Sequence, residues 1–245
     1  MKLVGERRAL AAAILIFYAG MYLVMGLSGA LPPEWTKAFT AMGGVYGAAF
    51  FGLVAGYFWA RWFAMGVALS GLISGAVSLW QVGPEPVLLV FAGTHLAAVL
   101  FLWGNAMAEP FDGQTKWRQR FHIDENAAHR LGRAVIRAGV SLPYVLLYAL
   151  APRPGSSTLE ALVAVGAGAL AISGVWAMFR MRTWGVLSLA GAAGLCTMAA
   201  IQPHVFAPLR GAALDLGAAA GVAAIALAGA VAPFVRPVAR FLARA

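Results

Sequence analysis

The chain has 245 residues, of which 62% are hydrophobic and 11% charged, and its 18 basic and nine acidic side chains give a net charge of +9. A soluble domain carries about a quarter of its residues charged, so lipid rather than water must cover most of this surface. One cysteine, Cys196, excludes an intrachain disulfide and a cysteine metal cluster. The bases lie between apolar runs instead of on one polar face, which excludes a nucleic-acid-binding protein.

Eight apolar runs follow one another, at 9–31, 38–60, 62–80, 86–107, 134–150, 158–179, 183–201 and 212–235. Helix is the expected state for each, because a backbone polar group in hydrocarbon must find its partner within its own segment. Strands of a barrel would need alternating polarity, and these runs have none. Lys2, Arg7 and Arg8 before the first run resemble the start of a secretory signal. The run is longer than a signal core and is read as a retained span. The fifth run is short and could begin at Leu131; Pro143 inside it predicts a kink.

With the N-terminus in the cytoplasm, 15 bases fall on the inside and three on the outside, namely Lys37, Arg153 and Arg210. That asymmetry follows the positive-inside rule and places both termini inside. The fold class expected is therefore an all-α integral membrane protein of eight transmembrane helices. Sliding the chain by 119 residues pairs Gly47 with Gly166, Arg61 with Arg180, Gly66 with Gly185, Gly75 with Gly194 and Pro84 with Pro203. The expected organisation is two parallel four-helix repeats, 1–108 and 134–245, joined by a cytoplasmic basic connection at 109–133.

The connection carries Lys116, Trp117, Arg118, Arg120, Arg130 and Arg133, and Arg137 continues it. Its second part reads as an interfacial helix whose bases meet anionic lipid headgroups or a partner protein. His122, Glu125 and His129 share one helical face there, but two histidines and a carboxylate at this spacing are not specific for a metal. The pairs Gly43/Gly47, Gly52/Gly56, Gly71/Gly75 and Gly217/Gly221 let helices approach closely, within the chain or between copies. The eight tryptophans cluster near span ends, as interfacial anchors do.

His95 stands midway along the fourth run, where an ionisable side chain marks a substrate or proton pathway by default. Thr94 is its neighbour, and Asp215 falls near the matching place in the second half. The alternative for His95 is a neutral imidazole bonded to a backbone carbonyl or to the Thr94 hydroxyl. For Asp215 it is a helix N-terminal acid paired with Arg210. Gly26-Leu27-Ser28-Gly29 resembles the G-x-S-G of rhomboid proteases, with His95 as the base. Here, however, the serine sits at the outer end of its span, out of reach of a mid-membrane histidine.

No phosphate-binding loop, dinucleotide fingerprint or zinc-protease motif is present. A bis-histidine haem needs a second deep histidine, so no cofactor is expected. Two functional classes remain. One is a non-enzymatic accessory subunit of the bacterial inner membrane that docks another membrane protein or a second copy of itself. The other is a small transporter, of small molecules or protons, with its site near His95.

Overall fold

The computed structural model describes residues 3–29, 31–112, 125–152, 157–201 and 216–242. All regular structure among them is helical: α1 Val4–Leu27, a 3-10 turn Pro33–Trp35, α2 Thr36–Ala55, α3 Ala60–Val82, α4 Pro86–Leu102, α5 Asn105–Asp112, α6 Glu125–Leu150, α7 Thr158–Phe179, α8 Trp184–Ile201 and α9 Leu216–Leu242. Among the described residues seven helical segments are long and apolar enough to cross a membrane, and α4 is a shorter apolar helix of 17 residues. The protein is an α-helical, multi-pass membrane protein.

Three boundaries differ from the sequence expectation, each for a physical reason. Helix α1 begins at Val4, before its charged residues, because Arg7 and Arg8 turn their guanidinium groups onto protein carbonyls. The fourth run does not reach Met107. After Leu102 the chain is extended at Trp103, and Gly104 takes φ +99°, a value L side chains rarely adopt. The remaining apolar residues form α5, whose Met107 and Phe111 are fully buried.

The third difference is in the connection. The end of the connection and the fifth run form one continuous helix, α6, of 26 residues, which continues through Pro143. Its first turns bury one face in the protein and leave His129 and Arg133 exposed. Ala128 and Leu131 are buried. Gly132 rests against the Trp62 indole of α3 so closely that a Cβ there would stand 2.7 Å from Cε2.

The chain divides into two compact units, 1–132 and 133–245. In the first, each of α1 to α4 packs on the next and α4 closes back on α1. Short connections make successive helices antiparallel. Glycines sit at the crossings: Gly43 lies on Leu23 and the Ala19 carbonyl, and Gly75 lies on Ala92. In the second unit α8 packs on both α7 and α9. Gly174 and Gly185 bring α7 and α8 to backbone contact, since a Cβ on Gly185 would meet the Gly174 carbonyl at 2.8 Å. Helix α7 starts on a capping box, in which Ser157 Oγ accepts from the Glu160 N–H and Glu160 accepts from the Ser157 N–H.

Helix ends leave their last carbonyls without intrahelical donors, and arginines supply them here. Arg8 donates to Leu53 O from Nε at 2.9 Å and to Val54 O from Nη2 at 2.8 Å, at the end of α2. Arg7 donates to Leu100 O at 2.8 Å and Trp103 O at 2.5 Å, at the end of α4. Arg61, itself buried, donates to Leu102 O at 3.0 Å and reaches Gly104 O at 3.4 Å. A cation at a helix C-terminus also complements the helix dipole.

Arg137 does the same inside a helix. It donates to Gly229 O at 2.5 Å. That carbonyl lies four residues before Pro233, which has no N–H to give it. Gly229 also lets the side chain lie down on α9, because a Cβ there would touch Arg137 Cδ at 3.2 Å. Arg137→Ala is therefore expected to lower the midpoint of thermal unfolding in detergent, read by fluorophore labelling of the buried lone Cys196. Pro233→Ala restores a backbone donor, so Arg137→Ala should cost much less in that background. Equal losses in both backgrounds would contradict this pairing.

Candidate functional site

Unit 1 places its polar side chains where its four helices meet. His95, on α4, is 1% exposed. Tyr18 of α1 lies against it with ring centroids 4.3 Å apart, and Phe91, one turn earlier on α4, also at 4.3 Å. Tyr46 of α2 reaches it by a hydrogen bond, Oη to Nε2, of 2.8 Å. Helix α3 contributes Gly71, and the absence of a side chain there is a requirement. A Cβ would stand 2.0 Å from His95 Cδ2 and 2.2 Å from Nε2, so the imidazole occupies the volume that any other residue would fill.

The hydrogen bonds fix the tautomer. His95 Nδ1 is 2.7 Å from Phe91 O, which can only accept. Nδ1 thus carries a proton, and in the neutral ring Nε2 accepts from the Tyr46 hydroxyl. Thr94, next in sequence, is not bonded to His95. Its hydroxyl donates to Val90 O at 2.8 Å and accepts from Tyr18 Oη at 2.6 Å. Two phenols, one threonine and one imidazole therefore satisfy one another and the α4 backbone. Buried polar groups paired this completely specify one packing. Chemically the arrangement holds a neutral imidazole between two aromatic faces, with each nitrogen already engaged.

The other residues singled out from sequence are dispersed. Asp215, Lys116, Trp117, Arg118 and Arg120 lie outside the described residues, as does His122. Arg130 is half-buried and Arg133 exposed near the start of α6, while Arg137 is held on Gly229. Ser28 is the exposed residue that ends α1, and the buried partner of His95 is Tyr46. No group of three metal-ligating side chains occurs among the described residues.

Sequence reasoning missed Tyr18, Tyr46 and the particular use of Gly71. The signal was present. Tyr18 and Tyr46 are phenols in the middle of apolar runs, where a hydroxyl needs a partner. Gly71 reads from its spacing as a close-approach glycine, but nothing in the sequence says that an imidazole would approach it.

No family model, curated protein or solved structure matches the chain.

The geometry ranks three substitutions. Tyr46→Phe leaves the buried Nε2 without a donor, at a cost of about 1–3 kcal/mol. Tyr18→Phe should cost less, because Thr94 keeps its bond to Val90 O. Gly71→Ala overpacks the imidazole by a similar ~1–3 kcal/mol, and most of that loss should vanish in a His95→Ala background. Circular dichroism melts of the purified variants in one detergent would rank them, and a Tyr18→Phe loss as large as that of Tyr46→Phe would overturn the bonding scheme.

Proposed function

We propose that the chain is a non-enzymatic, multi-pass protein of the bacterial inner membrane, acting as an accessory subunit that docks another membrane protein. The observation that carries this reading is the closed cluster around His95. The deep ionisable group of unit 1 is committed to holding α1, α2, α3 and α4 together, so its presence needs no substrate. Transport past His95 is the less supported reading. A substrate or proton path would have to break the Tyr46–His95 bond and open a space at a ring that is 1% exposed.

In the proposed topology α4, the fourth helix in order, also crosses and brings the count of spans to eight. At ~1.5 Å per residue its 17 residues reach about 25 Å, the short end of what crosses a bilayer. Both termini are cytoplasmic. Arg7, Arg8 and Arg61 support this for unit 1, since all three gather at the end where α2 and α4 finish. Lys37, from the outside set, opens α2 at its other end. The two four-helix halves remain part of the proposal in modified register. Helices α2 and α3 begin at 36 and 60, α7 and α8 at 158 and 184, so corresponding starts are 122 and 124 residues apart and not 119.

Docking is assigned to the basic segment at 109–133 and to glycine-bearing helix faces that the chain leaves open. Gly43, Gly71 and Gly75 are covered by their own chain, whereas Gly44 and Gly47 on α2 have no neighbour within 4 Å of a built Cβ. Mild detergent extraction should bring down a stoichiometric partner, and Gly44→Leu with Gly47→Leu should release it while His95→Ala does not. A partner-free monomer from the native membrane would end the subunit reading. Independently, a reporter fused after Ala245 should read as cytoplasmic; an external signal excludes eight spans.

A further inference from the structure

Arg7, Arg8, Arg61 and Arg137 are spent on backbone carbonyls; Arg180 and Arg182 are not. These two sit in the turn between α7 and α8, both exposed. Neither side chain donates a hydrogen bond to, or forms an ion pair with, any described residue. Arg61, near the turn between α2 and α3, makes the contrast. Arg61 is buried and closes the end of α4; Arg180 faces outward.

The turn itself is tightly built without those side chains. Met181 takes φ +55°, its N–H bonds to Met178 O at 3.0 Å, and the Arg182 N–H returns to Ala177 O at 2.8 Å. This is the hydrogen-bond pattern of a Schellman motif, formed here with a methionine where glycine is usual. The backbone is thus satisfied by itself, and the two guanidinium groups are left over.

Their surroundings point to one kind of occupant. The Arg180 guanidinium lies over the Trp176 ring at 4.4 Å, which fixes its plane and leaves its N–H edge open. Trp184 stands 6.4 Å from Trp176, and both indoles are exposed, at 49% and 42%. Exposed apolar side chains continue from the turn along each helix, Ile172 on α7 and Leu187 on α8. Helices α7 and α8 are both of membrane-crossing length, so the turn that joins them lies at a membrane surface. Among the described residues neither guanidinium has an ion-pair partner. Only two acids occur in 133–245, Glu160 and Asp215. Glu160 is used in the capping box at the far end of α7, and Asp215 lies outside the described residues.

We propose that the α7–α8 turn binds the phosphate headgroup of an anionic phospholipid, held by Arg180 and Arg182 and bracketed by Trp176 and Trp184, with an acyl chain along Ile172 or Leu187. The inference rests on the multi-pass reading and is independent of the docking function. A guanidinium edge pairs with phosphate oxygens in a fork, and indoles favour the headgroup level of a bilayer. A zwitterionic headgroup brings a cation of its own and gains little from two arginines.

The test uses the full chain purified in mild detergent with mixed phosphatidylglycerol and phosphatidylcholine, and native mass spectrometry to count retained lipids. The wild-type protein should retain phosphatidylglycerol in preference to phosphatidylcholine. Arg180→Gln with Arg182→Gln should lower that relative retention by about thirty-fold, the loss expected for two basic contacts at a lipid surface. Arg180→Lys with Arg182→Lys should recover most of it. The thermal midpoint read at Cys196 should not move, since neither side chain holds the fold. Equal retention of both lipids by the wild type overturns the proposal without recourse to any variant. So does undiminished retention by the glutamine pair, or displacement of the lipid by millimolar inorganic phosphate, which would make the site one for a free anion. Loss of the docking partner with lipid preference intact would sink the proposed function alone.

Discussion

A backbone carbonyl in a medium without water must be given a donor, and much of this structure follows from meeting that demand. Within a helix the next turn supplies the donor. At a helix end, or four residues before a proline, the next turn does not, and a local cap or a distant side chain must. Unit 1 meets the need with Arg7, Arg8 and Arg61 on the ends of α2 and α4. Unit 2 meets it with Arg137 on Gly229. Cations counted by a topology rule are, at these positions, also structural donors. That dual use explains how a chain with so few charges places several of them beside apolar helices, where an unspent guanidinium would be costly.

The same demand organises the centre of unit 1. Four polar side chains from α1, α2 and α4 meet there, and each finds its partner in another of them or in the α4 backbone. Such a network is worth having only when complete. Completion depends on α3 contributing no side chain at Gly71, where the imidazole sits. The four helices are therefore held in one register by chemistry that is polar but closed.

Hydropathy revealed most of the helices because burial in lipid is a property of composition. Runs 158–179 and 183–201 coincide with α7 and α8 to within a residue. The departures occur where another force won. Helix α1 starts among its arginines because their long stems carry the charge to carbonyls on α2 and α4, which sequence order cannot show. The fourth run divides because Gly104 turns the chain and α5 buries Met107 and Phe111 against protein. The start of α6 looked like a surface-lying helix because its apolar stripe has the period of one. Only the fold shows that Gly132 of this helix is set against the Trp62 indole. At the site, His95 was legible from its depth alone, while its partners came from helices 49 and 77 residues upstream, a separation that no local pattern encodes.

The pairing of Arg137 with Gly229 also bears on the order in which the chain is made. Donor and acceptor are 92 residues apart, and the donor is synthesised first. Helix α9 must therefore emerge from the ribosome with a gap in its own hydrogen-bond ladder at Pro233. The Gly229 carbonyl gains its donor only when α6 is already in place to offer Arg137. Assembly of the second unit is in this sense templated by its earliest helix, and the late helix carries a built-in defect that only correct docking repairs.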